Sequence, residues 1–228
     1  MQGPAAKRTM IVLLFGPPGC GKGTQATFIA IHFQIPAIST GEMFRVECKA
    51  GTSLGKAATS ILARGELVGD EIVNQMLMGR IAKSDCREGF LLDGYPRTVP
   101  QAEFLDCVLR SRGFPAPSII HLDVPAEAVV ARLTARRQCP ACSRIYNLHS
   151  QPPRRENVCD DDGTPLISRS DDREAVIRQR LKAYEELTGP VIQYYAGAAY
   201  HRVDGTLTPP EVSRQITAVL NAIAPVGV

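Results

Sequence analysis

The segment Gly16-Pro-Pro-Gly-Cys-Gly-Lys-Gly-Thr24 holds the densest chemistry in the chain. Its spacing is G-x-x-x-x-G-K, and it stands between an apolar run, Met10–Phe15, and a helical pattern, Thr24–Phe33. In that setting Gly19, Gly21 and Gly23 let the backbone wrap an anion so that several N–H groups point inward. The helix N-terminus adds partial positive charge, and Lys22 reaches the outer phosphates of a nucleotide. Gly23 stands where such loops usually carry the hydroxyl that holds Mg²⁺, with Thr24 displaced by one position. Asp93, closing the run Gly89–Asp93, is then the natural carboxylate for Mg²⁺; its plainer reading is a strand-end turn residue. No N-K-x-D sequence is present, which argues against an ordinary guanine-reading enzyme. Cys20 lies inside the loop near a helix N-terminus, so its thiolate is expected to be favoured and its alkylation fast.

A second cluster follows later. Cys139-Pro-Ala-Cys142 is separated by sixteen residues from Cys159-Asp-Asp-Asp162. Paired ligands in two such knuckles suit tetrahedral Zn²⁺ in a closed, structural site. Asp162 matches the spacing for the fourth ligand, with Asp160, Asp161 and His149 as competitors and three unrelated thiols as the alternative. Cys48, Cys86 and Cys107 show no ligand spacing and read as buried small hydrophobes.

The elements that must position these residues alternate. Apolar runs at Met10–Phe15, Gly89–Asp93, Ser118–Val124 and Tyr200–Asp204 read as strands. Helical patterns occupy Thr24–Phe33, Val99–Arg112, Ala126–Arg137 and Pro210–Ile223. Buried strands separated by helices make parallel βαβ units, hence an α/β fold with a doubly wound parallel sheet. Two stretches interrupt it. Residues 39–68 are helical, with Gly51, Gly55 and Gly65 as breaks. Residues 135–172 are rich in Cys, Pro, Asp and Arg, and have too little apolar surface to join a core, so they need another stabiliser such as the metal. The expected division is a core of 1–38, 69–134 and 173–228, a flap of 39–68 and a lid of 135–172.

The chain's 228 residues suffice for one core with insertions. Lys and Arg number 26 against 23 Asp and Glu, a net charge of +3 too mild to indicate nucleic acid or a membrane surface. Seven cysteines, an odd number, argue against a disulfide framework and for a reduced compartment. No apolar stretch approaches the roughly 18–20 residues of a membrane helix. These features predict a soluble, cytoplasmic protein.

The loop at 16–24 is joined, in order, by Ser39-Thr40-Gly41-Glu-Met-Phe-Arg45, by Leu92-Asp93-Gly94-Tyr95-Pro96-Arg97-Thr98 with Gln101, by Arg132-Leu-Thr-Ala-Arg136-Arg137, and by Arg169-Ser-Asp-Asp172 with Arg178-Gln-Arg180. This ordered set resembles the adenylate kinase family in its long form with a zinc-bearing lid. The resemblance implies a kinase that reversibly transfers the terminal phosphoryl group of ATP to AMP, giving two ADP, as a monomer without nucleic-acid or membrane partners. It implies catalytic roles for Lys22, Asp93, Arg97, Arg132, Arg136, Arg169 and Arg180. Gly19–Thr24, Arg136, Ile145, Tyr146 and Leu207 would bind ATP. Thr40, Arg45, Glu66, Leu67, Val68, Gly94, Tyr95, Pro96, Arg97, Gln101, Arg169 and Arg180 would bind AMP, with the Gln101 amide facing the adenine edge. Thr40 separates this reading from UMP/CMP kinases, which typically carry Ala there. Gly69 departs from the usual Thr, Ser or Pro and would loosen a turn near the acceptor. Asp162 takes the place of the fourth zinc ligand. Phosphoryl transfer suits this inventory, because planar guanidinium forks bind phosphate oxygens in pairs and no nucleophilic side chain is required.

Overall fold

Met10–Phe15 form β1, five of whose six residues are fully buried, and around it a computed structural model describes residues 9–197 and 199–223. β1 lies in the middle of a five-stranded parallel sheet. The other strands are β2 (Ala37–Ser39), β3 (Gly89–Asp93), β4 (Ser118–Asp123) and β7 (Ala199–Asp204), in the order β2-β3-β1-β4-β7. Successive β1 side chains alternate between two cores. Ile11, Leu13 and Phe15 enter one, with Phe90, Leu92 and Ile119, while Val12 and Leu14 enter the other, with Leu91, Ile120 and Leu122. Both faces are covered by helices, which is why these strands read as continuous apolar runs.

The helices are α1 (Lys22–Phe33), α2 (Thr40–Ala50), α3 (Ser53–Ala63), α4 (Asp70–Ile81), α5 (Val99–Ser111), α6 (Ala126–Thr134), α7 (Glu174–Ala183), α8 (Gly189–Tyr194) and α9 (Pro209–Ile223). Local chemistry sets their starts. Ser39, Thr52 and Thr98 each accept a backbone N–H of their own helix's first turn, at α2, α3 and α5. α2 and α3 form the helical stretch expected for 39–68, and a π-helical turn, Tyr184–Thr188, joins α7 to α8.

Between α6 and α7 the chain makes a small two-stranded sheet, β5 (Arg136–Gln138) against β6 (Ile145–Asn147). The helix predicted over Ala126–Arg137 therefore stops at Thr134. Gln138 is drawn into further antiparallel pairing with Ile167, a contact no local pattern announces. Cys139, Tyr146, Cys159 and Leu166 make this segment's own miniature core. Lys49 of α2 donates to the Pro140 carbonyl at 3.5 Å, bringing α2 against this segment. Of the three cysteines expected to be buried hydrophobes, Cys86 is buried and Cys48 half-buried. Cys107 is exposed, because α5 turns that position outward. Among the described residues no helix is long and apolar enough to cross a membrane.

Candidate active site

All five strands are parallel, so their C-terminal ends share one edge. From adjacent β1 and β3 the chain leaves to opposite faces of the sheet, into α1 on one core and α5 on the other, which opens a crevice between them. The P-loop fills it. Gly19 has φ 77°, and an added Cβ would lie 2.5 Å from Leu133 Cγ, so only glycine fits. Lys22 Nζ bends back onto the Gly16 and Pro17 carbonyls at 2.7 and 2.9 Å. Thr24 and Gly23 lie exposed in the first turn of α1.

Two clefts adjoin this loop. One, of about 510 Å³, is lined by Gly16, Lys22, Leu67, Gly94, Pro96, Arg97, Arg180 and Tyr184. The other, of about 370 Å³, is lined by Thr40, Phe44, Glu66, Leu67, Val68, Gly94, Arg97 and Gln101. Gly94, Arg97 and Leu67 belong to both, so the two clefts meet. Gly94 has φ 78°, and its carbonyl accepts both Thr40 Oγ1 at 2.9 Å and Arg97 Nε at 2.8 Å. Tyr95 lies buried with a cis bond to Pro96, its hydroxyl donating to Asn74 Oδ1 at 2.6 Å.

The arginines converge without full neutralisation. Burial, then the charges of Arg180 and Arg45, pull Arg97 down to about 10. Burial, then Arg136 and Arg45, bring Arg169 to about 10 as well. Neither makes an ion pair among the described residues. Arg97 donates to the Gly94 carbonyl, and Arg169 Nε to Gln138 Oε1 at 2.5 Å. Burial also lowers Arg180, which keeps Asp171 at 2.7 Å and, more distantly, Asp172 at 3.9 Å. Arg136 grips buried Asp172 with two bonds, at 2.7 and 2.5 Å. Arg45 is held by Glu42 at 2.7 Å. Cations that destabilise one another in a concave site are an anion site, because phosphate oxygens supply the missing countercharge.

Several expected residues take unexpected partners. Arg132 donates to the Gly205 carbonyl at 2.8 Å and more distantly to those of Cys20 and Thr206, so it braces the P-loop against the loop that carries Leu207. Tyr146 is buried beside the cysteines, its hydroxyl accepting the Asp160 N–H, while neighbouring Ile145 is exposed. Gln101 is held at both ends. Its Nε2 donates to Asp70 Oδ1 at 2.7 Å and its Oε1 accepts Arg97 N at 2.8 Å, which leaves the amide one further N–H and one further lone pair. Asp70, which also accepts Thr98 Oγ1 at 2.7 Å, is the supporting residue that sequence reasoning missed. Its position at the start of α4, three residues before the buried Val73, was the available sign. Gly69 caps α4 at φ −55°, with open space at its Cβ, so the suspected looseness there has no conformational basis.

The expectation for Cys20 is overturned. Its thiol is 3% exposed, and burial pushes its pKa up, outweighing the lowering effect of Lys22. Of the strand-end carboxylates flanking β1, Asp123 is paired with Arg202. The Asp93 carboxylate makes no side-chain hydrogen bond or ion pair among the described residues. In the segment between α6 and α7, the ligand atoms of Cys139, Cys142, Cys159 and Asp162 lie within 4.8 Å of one another, a set able to hold a metal ion. Asp160 and Asp161 turn instead toward Arg144, and His149 lies outside the group.

A P-loop at the centre of a parallel sheet, with two meeting clefts and unneutralised arginines between them, defines a P-loop kinase that joins two phosphorylated ligands. Comparison with known proteins agrees. The family profile described as adenylate kinase matches residues 14–200. An adenylate kinase of Caldanaerobacter subterraneus is 46% identical over 212 residues, covering 92% of this chain and 96% of that protein. One from Thermotoga maritima is 47% identical over 214 residues, covering 92% and 97%. One from Methanococcoides burtonii is 50% identical over 186 residues, covering 82% and 86%. The chain belongs to the adenylate kinase family. Its activity is that of a nucleoside-monophosphate kinase, transferring the ATP terminal phosphoryl group to AMP to give two ADP.

Proposed function

We propose that the reaction runs across the junction of the two clefts. ATP's phosphates lie on the P-loop, with Lys22 released from its carbonyls onto them. AMP lies in the Thr40–Gln101 cleft, with its phosphate held by Arg45 and Arg97. Leu67 and Val68 wall the AMP base, and Gln101 presents its remaining donor and acceptor. Arg136, Arg169 and Arg180 meet the charge that develops on the group in transit, while Arg132 holds the loop that shapes the donor site. The observation that carries this reading is the pair of half-buried arginines, Arg97 and Arg169, lowered to about 10 by partial desolvation and by neighbouring arginines, with no carboxylate at ion-pair distance among the described residues. Such groups stabilise a phosphoryl transition state electrostatically without reorganising.

Mg²⁺, when bound with ATP, adds charge neutralisation at the transferred group, and Asp93 and Thr24 would hold it, largely through water. Zn²⁺ fits the Cys139, Cys142, Cys159 and Asp162 set. A Cys142 Sγ–Cys159 Sγ separation of 3.6 Å is close to the roughly 3.7 Å edge of a tetrahedron with Zn–S bonds near 2.3 Å. Four protein ligands leave no open position, so this role is structural. Thiolate ligands also favour a reducing, cytoplasmic setting for a monomer acting on free nucleotides. The working division is the core, the 39–68 flap and the 135–172 lid, closing together to keep water from the phosphoryl group.

A coupled assay with AMP, CMP, UMP and GMP tests the acceptor, and AMP is expected to be preferred. Lys22→Ala and Arg97→Ala are each expected to lower turnover by two orders of magnitude or more, with melting temperature little changed. Near-normal turnover in either would refute the site assignment.

A further inference from the structure

A row of hydrogen bonds beneath the P-loop is used by none of the roles above. His121 of β4 sits beside Phe15 of β1. Its Nδ1 lies 2.6 Å from the Tyr200 hydroxyl of neighbouring β7, and its Nε2 lies 3.1 Å from the Tyr184 hydroxyl. Tyr184 opens the π-helical turn between α7 and α8 and lines the larger cleft with Lys22, Arg97 and Arg180. π-turns inside helices recur at functional sites, where the extra residue re-aims a side chain.

A proton count assigns the direction of these bonds. Burial lowers the His121 pKa, so the ring is neutral, and raises those of both phenols, so each hydroxyl keeps its proton. A neutral imidazole offers one N–H and one bare nitrogen, so one tyrosine donates to the ring and the other accepts from it. The shorter contact suits a hydroxyl donor and the longer one a ring N–H donor. Tyr200 therefore donates to Nδ1, and Nε2–H donates to the Tyr184 oxygen. The Tyr184 proton is left over, on a side chain at the wall of the phosphate cleft.

We propose that the Tyr184 hydroxyl donates a hydrogen bond to an oxygen of the phosphoryl group in transit, and that His121 is the positioning residue that turns the phenol toward it. This rests on the reading that the Lys22–Arg97–Arg180 cleft holds that group. The bond strengthens as charge builds on the oxygen, so its loss lowers kcat rather than raising KM.

Steady-state ADP formation and thermal melting of four variants test it. Tyr184→Phe and His121→Leu are each expected to lower kcat on the order of tenfold, with both KM values within about twofold and melting temperature close to the parent's. The double variant is expected to fall no further than either single one. His121→Gln, whose amide keeps a donor toward Tyr184, is expected to recover most of the rate. Parental kcat in Tyr184→Phe, or a loss confined to KM, overturns the proposal. Multiplying losses in the double variant overturn the role of His121. Retained turnover in Lys22→Ala would overturn the placement of the transferred group, a result distinct from either.

Discussion

At Cys20 two influences oppose each other. A helix N-terminus and a lysine amine 3.7 Å away favour the thiolate, and burial favours the neutral thiol more strongly. A thiol whose pKa is raised ionises only at higher pH than an ordinary one, so alkylation at neutral pH should be slow. Time-resolved alkylation followed by mass spectrometry is expected to mark exposed Cys107 first and Cys20 late, with Cys20 catching up only as pH rises. Equal rates at pH 7 would contradict this. The same distinction separates what was legible at this scale from what was not. Lys22, Thr40 and Arg97 sit in ordered motifs and were readable. The bonds that hold Gln101 were not, because Asp70 is far along the chain and shares no pattern with it. Nor was the engagement of Arg132, whose carbonyl partners come from two distant loops.

Among the elements, the segment between α6 and α7 has the smallest apolar core. That core is four residues, two of them cysteines of the set able to hold a metal ion. Metal analysis is expected to find one zinc per chain. Chelation, or Cys139→Ser, should melt this segment and make it protease-sensitive while the P-loop core remains folded. The melting temperature should fall by roughly 2–4 °C for each kcal/mol of stability lost. Well under one zinc per chain in the native protein would refute the metal assignment. The long buried strands and most helices were legible from periodicity, because burial on both sheet faces writes itself into the sequence. Three-residue β2 and the β5–β6 pair were not, since so short a strand has no period and its partner defines it. α4 did leave a sign, in the buried Val73, Leu77 and Ile81 at four-residue spacing.

For the molecule as a whole, a net charge of +3 conceals the gathering of Lys22, Arg45, Arg97, Arg136, Arg169 and Arg180 around the meeting clefts. Their mutual repulsion weighs against the folded state until an anion arrives. AMP at about a hundred times its Kd is expected to stabilise the fold by about 2.7 kcal/mol, and inorganic phosphate to act in the same direction. Differential scanning fluorimetry should show an upward shift of several degrees with AMP, and little with chloride at equal ionic strength. No shift with AMP would contradict the convergence. Composition could not reveal this gathering, because a sum of charges carries no positions.

The Arg136–Asp172 grip has a consequence for chain continuity. It joins the two ends of the segment between α6 and α7, so this segment is a closed ring whose loop-closure entropy is already surrendered in the fold. β5–β6 pairing and the gathered Cys139, Cys142, Cys159 and Asp162 side chains tie the ring again across its middle. A single cut near exposed Pro152 is therefore expected to leave both new ends tethered, so that the nicked segment stays folded and attached.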